Sequence, residues 1–227
     1  MTKKLDPTKK KRTEQQKRWL RRQINDPYVE RSHKEGYRSR AAYKLIEIND
    51  KFKLLRSGQK ILDLGAAPGS WLQVVQKKVG KSGVVVGVDL TTIDPIPDVT
   101  CLEGDFRDQS ILAQLYIIGS FDGIISDMAA SSTGFLNVDQ LKMAGLIEEL
   151  LDYLPTLLAP EGFFIFKTFQ GGLNNDIQKR LKQLFKTVKH VKPSASRSDS
   201  RETYVVCQCA LTSANQDPLK SECEVRR

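Results

Sequence analysis

The stretch Lys60-Ile-Leu-Asp-Leu-Gly-Ala-Ala-Pro-Gly69 decides the fold of this chain. Its first five residues are mostly apolar, which is typical of a strand covered on both faces of a sheet. Glycines follow at positions 65 and 69, and glycine lets the backbone approach a ligand that a Cβ atom would obstruct. A strand, such a loop and then a segment of helical length are typical of the ligand-binding loop of a doubly wound α/β fold.

Short apolar runs predict further strands, and helical spacing of apolar residues separates them. The predicted strands cover residues 60–64, 83–89, 99–102, 121–126, 162–168, 188–191 and 203–211. The predicted helices cover residues 39–52, 71–79, 109–118, 138–158 and 174–185. We therefore predict an α/β fold with a mostly parallel, doubly wound sheet, helices on both faces and a C-terminal antiparallel strand. A ligand is expected beyond the carboxyl ends of the strands.

The length and composition predict one globular domain with two tails. The chain has 227 residues, of which 40% are hydrophobic, and this is enough to close one core. We predict an arm over residues 1–30, a domain over 31–211 and a polar tail over 212–227. No apolar run is long enough for a membrane span, and the four cysteines form no C-x-x-C pair. We therefore expect a cytoplasmic monomer without a disulfide framework or a metal.

The N-terminal arm holds nearly all of the net charge. Residues 1–22 contain ten Lys and Arg against two acids, and the whole chain has a formal net charge of +9. A basic segment with so few apolar residues is expected to be flexible and to bind a polyanion, with nucleic acid as the leading candidate. Such contacts reach phosphates and do not read bases. A simple solubility tail is the alternative.

Acidic residues end four successive predicted strands. They are Asp63, Asp89, Asp105 and Asp127. An acid at the end of the second strand can accept hydrogen bonds from ribose hydroxyls, and a row of four is a stronger signal than one helix cap. A dinucleotide is disfavoured because the loop lacks the closely spaced first glycine pair of G-x-G-x-x-G.

The Asp63–Gly69 loop resembles motif I of the class I S-adenosylmethionine methyltransferases, whose fold is Rossmann-like. Six segments between Arg38 and Ala210 together resemble the successive motifs of the FtsJ/RrmJ family of ribose 2′-O-methyltransferases. They are Arg38–Leu45, Asp63–Trp71, Gly104–Asp108, Ser126–Met128, Phe166–Gly171 and Ser196–Tyr204. Within the family, the chain most resembles the bacterial type that methylates a uridine ribose in large-subunit ribosomal RNA. It departs from the family pattern at Ser70 and over residues 129–133.

The resemblance implies a cofactor, a partner and a set of site residues. The cofactor is S-adenosylmethionine and the partner is ribosomal RNA or the large ribosomal subunit. The family's catalytic tetrad falls on Lys44, Asp127, Lys167 and Glu202. The cofactor positions fall on Gly65, Gly69, Trp71, Asp89, Asp105, Phe106 and Asp127.

Elementary chemistry agrees with these roles. A ribose hydroxyl is a weak nucleophile, so transfer requires removal of its proton or stabilisation of its oxyanion, with the hydroxyl held in line. Partial burial and a second ammonium group both disfavour a charged lysine, and Lys44 beside Lys167 would supply that arrangement. Lys167 lies in a very apolar run, which is unusual for lysine. We therefore expect it to be the base or the oxyanion partner, with the two acids orienting the lysines.

Two basic segments are predicted to converge on the site and to contact RNA. Their residues are Arg31, Lys34, Arg38, Arg40, Lys192, Arg197 and Arg201. Tyr37 and Tyr43 could stack on an unpaired base, although a tyrosine within a helix more often packs in a core.

Three alternative functions remain open from the sequence. One is an RNA-binding ribosome-assembly factor that keeps the methyltransferase fold but catalyses no methyl transfer. The second is a 2′-O-methyltransferase of transfer RNA. The third is a small-molecule or base methyltransferase, although Asp127-Met-Ala-Ala130 is not the Asn/Asp-Pro-Pro-aromatic loop of many base enzymes.

Overall fold

A computed structural model describes residues 24–130 and 133–211, together with residues 13, 14 and 17. Most of the predicted arm and all of the predicted tail lie outside these residues. The described helices are α1 (Pro27–Lys34), α2 (Ala41–Phe52), α3 (Ser70–Val79), α4 (Gln109–Ile118), α5 (Leu136–Leu157) and α6 (Asn175–Leu184). The strands are β1 (Lys60–Leu64), β2 (Val84–Asp89), β3 (Thr100–Glu103), β4 (Phe121–Ser126), β5 (Leu158–Phe169), β6 (Phe185–Val191) and β7 (Glu202–Ala210).

All seven strands form one sheet in the order β3-β2-β1-β4-β5-β7-β6. Strands β1 to β5 are parallel, and β7 is antiparallel to both of its neighbours. The chain moves outward from β1 to β3 and then returns to the other side of β1 at β4. This is the switch point, where a doubly wound sheet opens a crevice for its ligand. The predicted α/β class and C-terminal antiparallel strand are confirmed.

Helices cover both faces of the sheet, because the strands bury apolar residues alternately on either side. On one face Leu62, Ile124 and Phe164 pack with α4, α5 and α6. On the other face Ile61 and Ile165 pack with α2 and α3. The sheet therefore fixes α2 against the face that carries the odd-numbered residues of β5. No helix in the described residues is long and apolar enough to cross a membrane.

Helix α1 was not predicted, and the predicted boundary at residue 30 falls inside it. Asp26 caps the helix by accepting a hydrogen bond from the backbone N–H of Tyr28 at 3.0 Å. Pro27 stands at the first helical position, where its missing N–H costs no hydrogen bond. The tyrosine hydroxyl then donates to Glu47 of α2 at 3.1 Å. These contacts show that residues 26–30 belong to the folded unit.

Candidate active site

A cavity of about 620 Å³ lies at the carboxyl ends of the parallel strands. It opens where the order of the strands reverses, between β1 and β4. Five of the predicted cofactor residues line it: Gly65, Asp89, Asp105, Phe106 and Asp127. The cavity is therefore bounded by residues from four strand ends, as the sequence predicted.

Two glycines shape the loop between β1 and α3. Gly65 has a φ of +75°, and a Cβ atom there would lie 2.1 Å from Cγ of Met128. Gly69 has a φ of +101° and precedes the first residue of α3. A side chain at either position would be strained, because L-residues rarely adopt these backbone angles. Because these positions have no side chain, the loop lines the cavity at Gly65 and packs closely against Met128 in the loop after β4.

Asp89 and Asp105 are held in place by hydrogen bonds. Asp89 accepts from the backbone N–H groups of Ala67 at 2.9 Å and Thr91 at 2.8 Å. Asp105 accepts from the Arg107 guanidinium at 2.8 and 2.5 Å. This guanidinium holds the pKa of Asp105 below its usual value. Both groups are thus positioned as carboxylate acceptors at the rim of the cavity.

Asp63 lies buried beneath the loop, with its side chain almost fully enclosed. Its Oδ2 atom is buried and has no hydrogen-bond partner among the described residues. Burial raises the pKa of Asp63 well above its usual value, and the charges of Asp127 and Asp89 raise it further. The raised pKa favours the uncharged carboxyl group, and Asp63 does not line the cavity.

Replacement of Asp63 by Asn is expected to stabilise the protein at neutral pH. The pKa of Asp63 is higher in the folded protein than in the unfolded chain. The contribution of Asp63 to stability is therefore most favourable below the pKa of the unfolded chain, and it is lost as the pH rises through the pKa of the folded protein. Asp63→Asn should therefore unfold with a free energy higher by about 1 kcal/mol or more at pH 7, with a smaller gain near about pH 4. Urea unfolding at both pH values measures this. A gain that does not change with pH would contradict the assignment.

The four predicted catalytic residues come together beside the cavity. The Lys167 ammonium lies 3.0 Å from Oδ1 of Asp127, and it also donates to the main-chain carbonyl of Asp127. The Lys44 ammonium lies 2.7 Å from Oε1 of Glu202 and 3.7 Å from Oδ2 of Asp127. All four side chains are mostly buried. We call these four residues the tetrad.

Strand register explains how the tetrad forms. In the antiparallel pair β5–β7, Lys167 lies opposite Tyr204. Side chains at opposite positions share a face, and Glu202 is on that face because it lies two residues from Tyr204. Helix α2 covers the same face and supplies Lys44. Asp127 directly follows β4, the other neighbour of β5.

Two residues that were not predicted to belong to the site form hydrogen bonds with the tetrad. The Tyr204 hydroxyl donates to Oδ1 of Asp127 at 2.7 Å, and the ring is fully buried. Ser196 donates to Oε1 of Glu202 at 3.0 Å. Both residues lie in a motif quoted above. A buried tyrosine needs a partner for its hydroxyl, and this was the available signal for Tyr204.

A second cleft reaches the tetrad and, among the described residues, shares no lining residue with the cofactor cavity. We call it the tetrad cleft, and its volume is about 420 Å³. Lys44 and Glu202 line it, together with Arg40 and Arg197. Asp127 thus borders the first cavity, while Lys44 and Glu202 border the tetrad cleft. Lys167 lines neither opening, and its ammonium lies 3.0 Å from Asp127.

Several predicted RNA-binding residues instead make contacts within the protein. Arg40 forms an ion pair with Asp26 and donates to the carbonyl of Ala195. Arg197 lies 3.4 Å from the same Asp26 carboxylate. Ion pairs also hold Arg31 to Glu35 and Lys34 to Glu30, and the Lys192 ammonium donates to the carbonyls of Ser198 and Ser200. Their role toward RNA stays a prediction.

Arg38 connects two loops at the cofactor cavity. Its guanidinium donates to the carbonyl of Pro68 at 2.7 Å and to that of Pro95 at 3.0 Å. These carbonyls belong to the loop after β1 and the loop after β2. A Cβ atom at Gly69 would lie 2.7 Å from the guanidinium. Arg38 therefore braces the loops that bound the cavity.

The bracing by Arg38 predicts an effect on cofactor affinity without RNA. Arg38→Met removes two hydrogen bonds from a charged donor, so we expect about tenfold weaker binding of S-adenosylmethionine. Isothermal titration calorimetry on the protein alone measures this. Arg56→Met is the matched control, because Arg56 precedes the amino end of β1, whereas the cofactor cavity lies at the carboxyl ends of the parallel strands. If both variants bound S-adenosylmethionine with equal affinity, bracing by Arg38 would not contribute to cofactor binding.

The predicted aromatic site residues differ in their exposure. The Trp71 indole donates to the carbonyl of Ala41 at 2.8 Å and its ring lies 5.7 Å from that of Tyr204. This side chain packs between α2 and α3 and does not line the cavity. Tyr43 is 1% exposed, so the suggestion that it stacks on a base is wrong, because the core requires its ring. Tyr37 is half-buried.

Comparison with known proteins gives the family of the chain. A family model described as FtsJ-like methyltransferase matches residues 37–210, a range that includes the whole tetrad. The chain belongs to the FtsJ-like methyltransferase family. The predicted family is confirmed, and the protein is a methyltransferase. Helix α1 lies before the part that the family model matches.

Named relatives agree with this membership. The chain is 50% identical over 200 residues to ribosomal RNA large subunit methyltransferase E of Brucella anthropi, covering 86% of this chain and 83% of that protein. The protein of the same name from Brucella ovis is 49% identical with the same coverage. A Plasmodium falciparum crystal structure described as a ribosomal RNA methyltransferase is 32% identical, with a TM-score of 0.70. It covers 78% of this chain and 100% of its own.

Proposed function

We propose that this FtsJ-like methyltransferase transfers a methyl group from S-adenosylmethionine to a ribose 2′-hydroxyl of large-subunit ribosomal RNA. The observation that carries the proposal is the position of the tetrad, whose members border two openings. Asp127 lines the cofactor cavity, while Lys44 and Glu202 line the tetrad cleft. Ion pairs of Lys167 and Lys44 with Asp127 connect the two openings, so a donor in the cavity and an acceptor hydroxyl in the tetrad cleft can approach the same group of side chains. The relatives' names favour ribosomal RNA as the acceptor.

The cavity fits S-adenosylmethionine. When bound, this cofactor supplies an electrophilic methyl group on a cationic sulfur. The carboxylates of Asp89, Asp105 and Asp127 line the cavity and complement a cation. We assign Asp89 to the ribose hydroxyls and Asp105 with Phe106 to the adenine end, with Gly65 and Asp127 at the methionine end. Trp71 and Gly69 support the loop through α3.

The residues of the tetrad act on the acceptor. Lys167 lies closest to Asp127, and this carboxylate with the Tyr204 hydroxyl fixes where the ammonium points. As the neutral amine, Lys167 would accept the 2′-hydroxyl proton; as the ammonium, it would compensate the negative charge on the hydroxyl oxygen as that oxygen forms its bond to the methyl carbon. Glu202 holds Lys44 at the mouth of the tetrad cleft. The pair is placed to hydrogen-bond the ribose and keep its oxygen in line for attack.

The acceptor we favour is a uridine of the 23S RNA in an assembled or assembling large subunit. The basic residues around the tetrad cleft and the N-terminal arm agree with an RNA partner. A ribosomal substrate also agrees with the predicted cytoplasmic location. An RNA-binding assembly factor without turnover and a transfer RNA methyltransferase are the alternatives. The complete tetrad, with the ion pairs of both lysines formed, argues against a factor that has lost its chemistry.

The direct test is transfer of labelled methyl from S-adenosylmethionine to large ribosomal subunits prepared from cells that lack the native enzyme. We expect label on a ribose 2′-oxygen, identified after nuclease digestion. Free ribosomal RNA and transfer RNA serve as parallel substrates. Label on transfer RNA alone would favour the second alternative. Binding of all three RNAs without any label would support the assembly factor and overturn the proposal.

A further inference from the structure

A third opening approaches the tetrad on the other side of Glu202. It has a volume of about 270 Å³ and lies between the turn after β5 and the adjacent parts of β6 and β7. We call it the flanking cleft. In the described part of the chain, Glu202 is the one residue that lines both the tetrad cleft and the flanking cleft. The two clefts therefore adjoin at a residue of the tetrad.

The flanking cleft is lined by basic groups. His190, Lys192 and Arg201 line it, and among the described lining residues the single acid is Glu202. The Glu202 carboxylate is already compensated, because Oε1 lies 2.7 Å from the Lys44 ammonium and accepts from Ser196 at 3.0 Å. The net character of the cleft is thus cationic, and it favours an anion.

The backbone around the flanking cleft is fixed and open. The N–H of Gln170 donates to the carbonyl of Arg201 at 2.8 Å, which ties the turn to the segment before β7. Gly171 has a φ of +75° with no atom within 4 Å of a Cβ position. The Lys192 ammonium donates to two carbonyls, and a lysine has three donors. One donor therefore remains for a ligand.

The size of the flanking cleft exceeds that of a niche for one ion. Water occupies about 30 Å³ in the liquid, so 270 Å³ corresponds to about nine water molecules. A phosphate group with part of a sugar needs room of this order. The tetrad cleft, in contrast, contains both Lys44 and Glu202 and is the place for the reacting ribose.

We propose that the flanking cleft binds the phosphodiester and sugar of the nucleotide next to the target nucleotide. The inference rests on the proposed function, because a strand whose ribose reaches the tetrad must continue past Glu202. Arg201 contacts the phosphate, and Lys192 supplies its remaining donor. The turn at Gly171 admits the backbone of the strand, since no side chain obstructs it. These contacts position the strand without reading bases.

The test compares Arg201→Gln with Lys81→Gln, which removes the same charge in the turn between α3 and β2, before the amino end of β2. The probe is a single-stranded oligouridylate of about ten nucleotides, and its affinity is measured over a range of salt concentrations. We expect Arg201→Gln to bind about threefold to tenfold more weakly, with a salt slope lower by about 0.7 for the lost phosphate contact. S-adenosylmethionine affinity, measured by calorimetry, should be equal in both variants and serves as the control for folding.

The outcomes separate this inference from the proposed function. If the intact protein methylates ribosomal subunits but Arg201→Gln has the affinity and salt slope of Lys81→Gln, the flanking cleft does not bind the strand. If the intact protein transfers no methyl group to any RNA, the proposed function fails, while the oligouridylate titration still tests the cleft. Lys192→Gln is the second variant, and a lower salt slope there supports the same contact surface.

Discussion

Lys167→Ala is expected to lower the rate of methyl transfer to large ribosomal subunits by about 10² to 10⁴-fold, the usual contribution of a positioned proton-transfer group. The ammonium of Lys167 lies 3.0 Å from Asp127, which lines the cofactor cavity. Its removal eliminates the group that we assign to the 2′-hydroxyl proton or oxyanion. The affinity for S-adenosylmethionine should be retained, because the strand-end acids that line the cavity stay in place.

Rate and cofactor affinity together make this test specific. Single-turnover transfer of labelled methyl measures the chemical step, and calorimetry measures cofactor binding. Lys186→Ala is the matched control, since Lys186 of β6 forms an exposed ion pair with Glu161 at 2.9 Å. Such surface pairs contribute little to stability. If the rate of methyl transfer by Lys167→Ala were within a few-fold of that of the control, Lys167 would not be required for the chemical step.

Asp127→Asn should impair both catalysis and stability. Asp127 neutralises two mostly buried ammonium groups, Lys167 at 3.0 Å and Lys44 at 3.7 Å. Removal of one partner from a buried ion pair costs about 3–5 kcal/mol, because it leaves an uncompensated charge. We therefore expect a lower free energy of unfolding in urea by a few kcal/mol, and loss of transfer of at least about 10²-fold.

The control for Asp127→Asn is Asp152→Asn, which removes a carboxylate from an exposed pair with Arg180 at 2.7 Å. It should change the free energy of unfolding by less than about 1 kcal/mol. The Tyr204 hydroxyl can still donate to the amide oxygen of the Asn variant, so the effect reports charge more than geometry. A stability equal to that of the control would mean that the two lysines do not depend on Asp127.

Much of the fold and the tetrad could be predicted, because both depend on local patterns. Continuous apolar runs gave the positions of β1 and β4, and the motifs placed Lys44 and Glu202 although they are far apart in the chain. Helix α1 was missed because its sequence is charged and short. It is stabilised by its cap at Asp26 and by contacts with α2.

The contacts that the basic residues make within the folded protein could not be predicted from the sequence, for a physical reason. A sequence shows that Arg38 and Arg40 are cationic but does not show which acceptors they meet after folding. Arg38 meets the carbonyls of two cofactor loops, and Arg40 meets a carboxylate and a carbonyl. These partners are up to 155 residues away in the chain. Composition therefore predicts an RNA partner, while the contact of each basic residue with RNA stays a prediction.

The antiparallel strand β7 also affects how the protein becomes active during synthesis. The cofactor cavity is built from strands β1 to β4 and α5, all of which precede β7 in the chain. Glu202 and Tyr204 arrive with the last strand, and a slip of one residue would turn both side chains to the other face. A nascent chain can therefore shape its cofactor cavity before it can modify RNA. With the role proposed for Glu202, methyl transfer requires that β7, the last strand of the described residues, has paired in register.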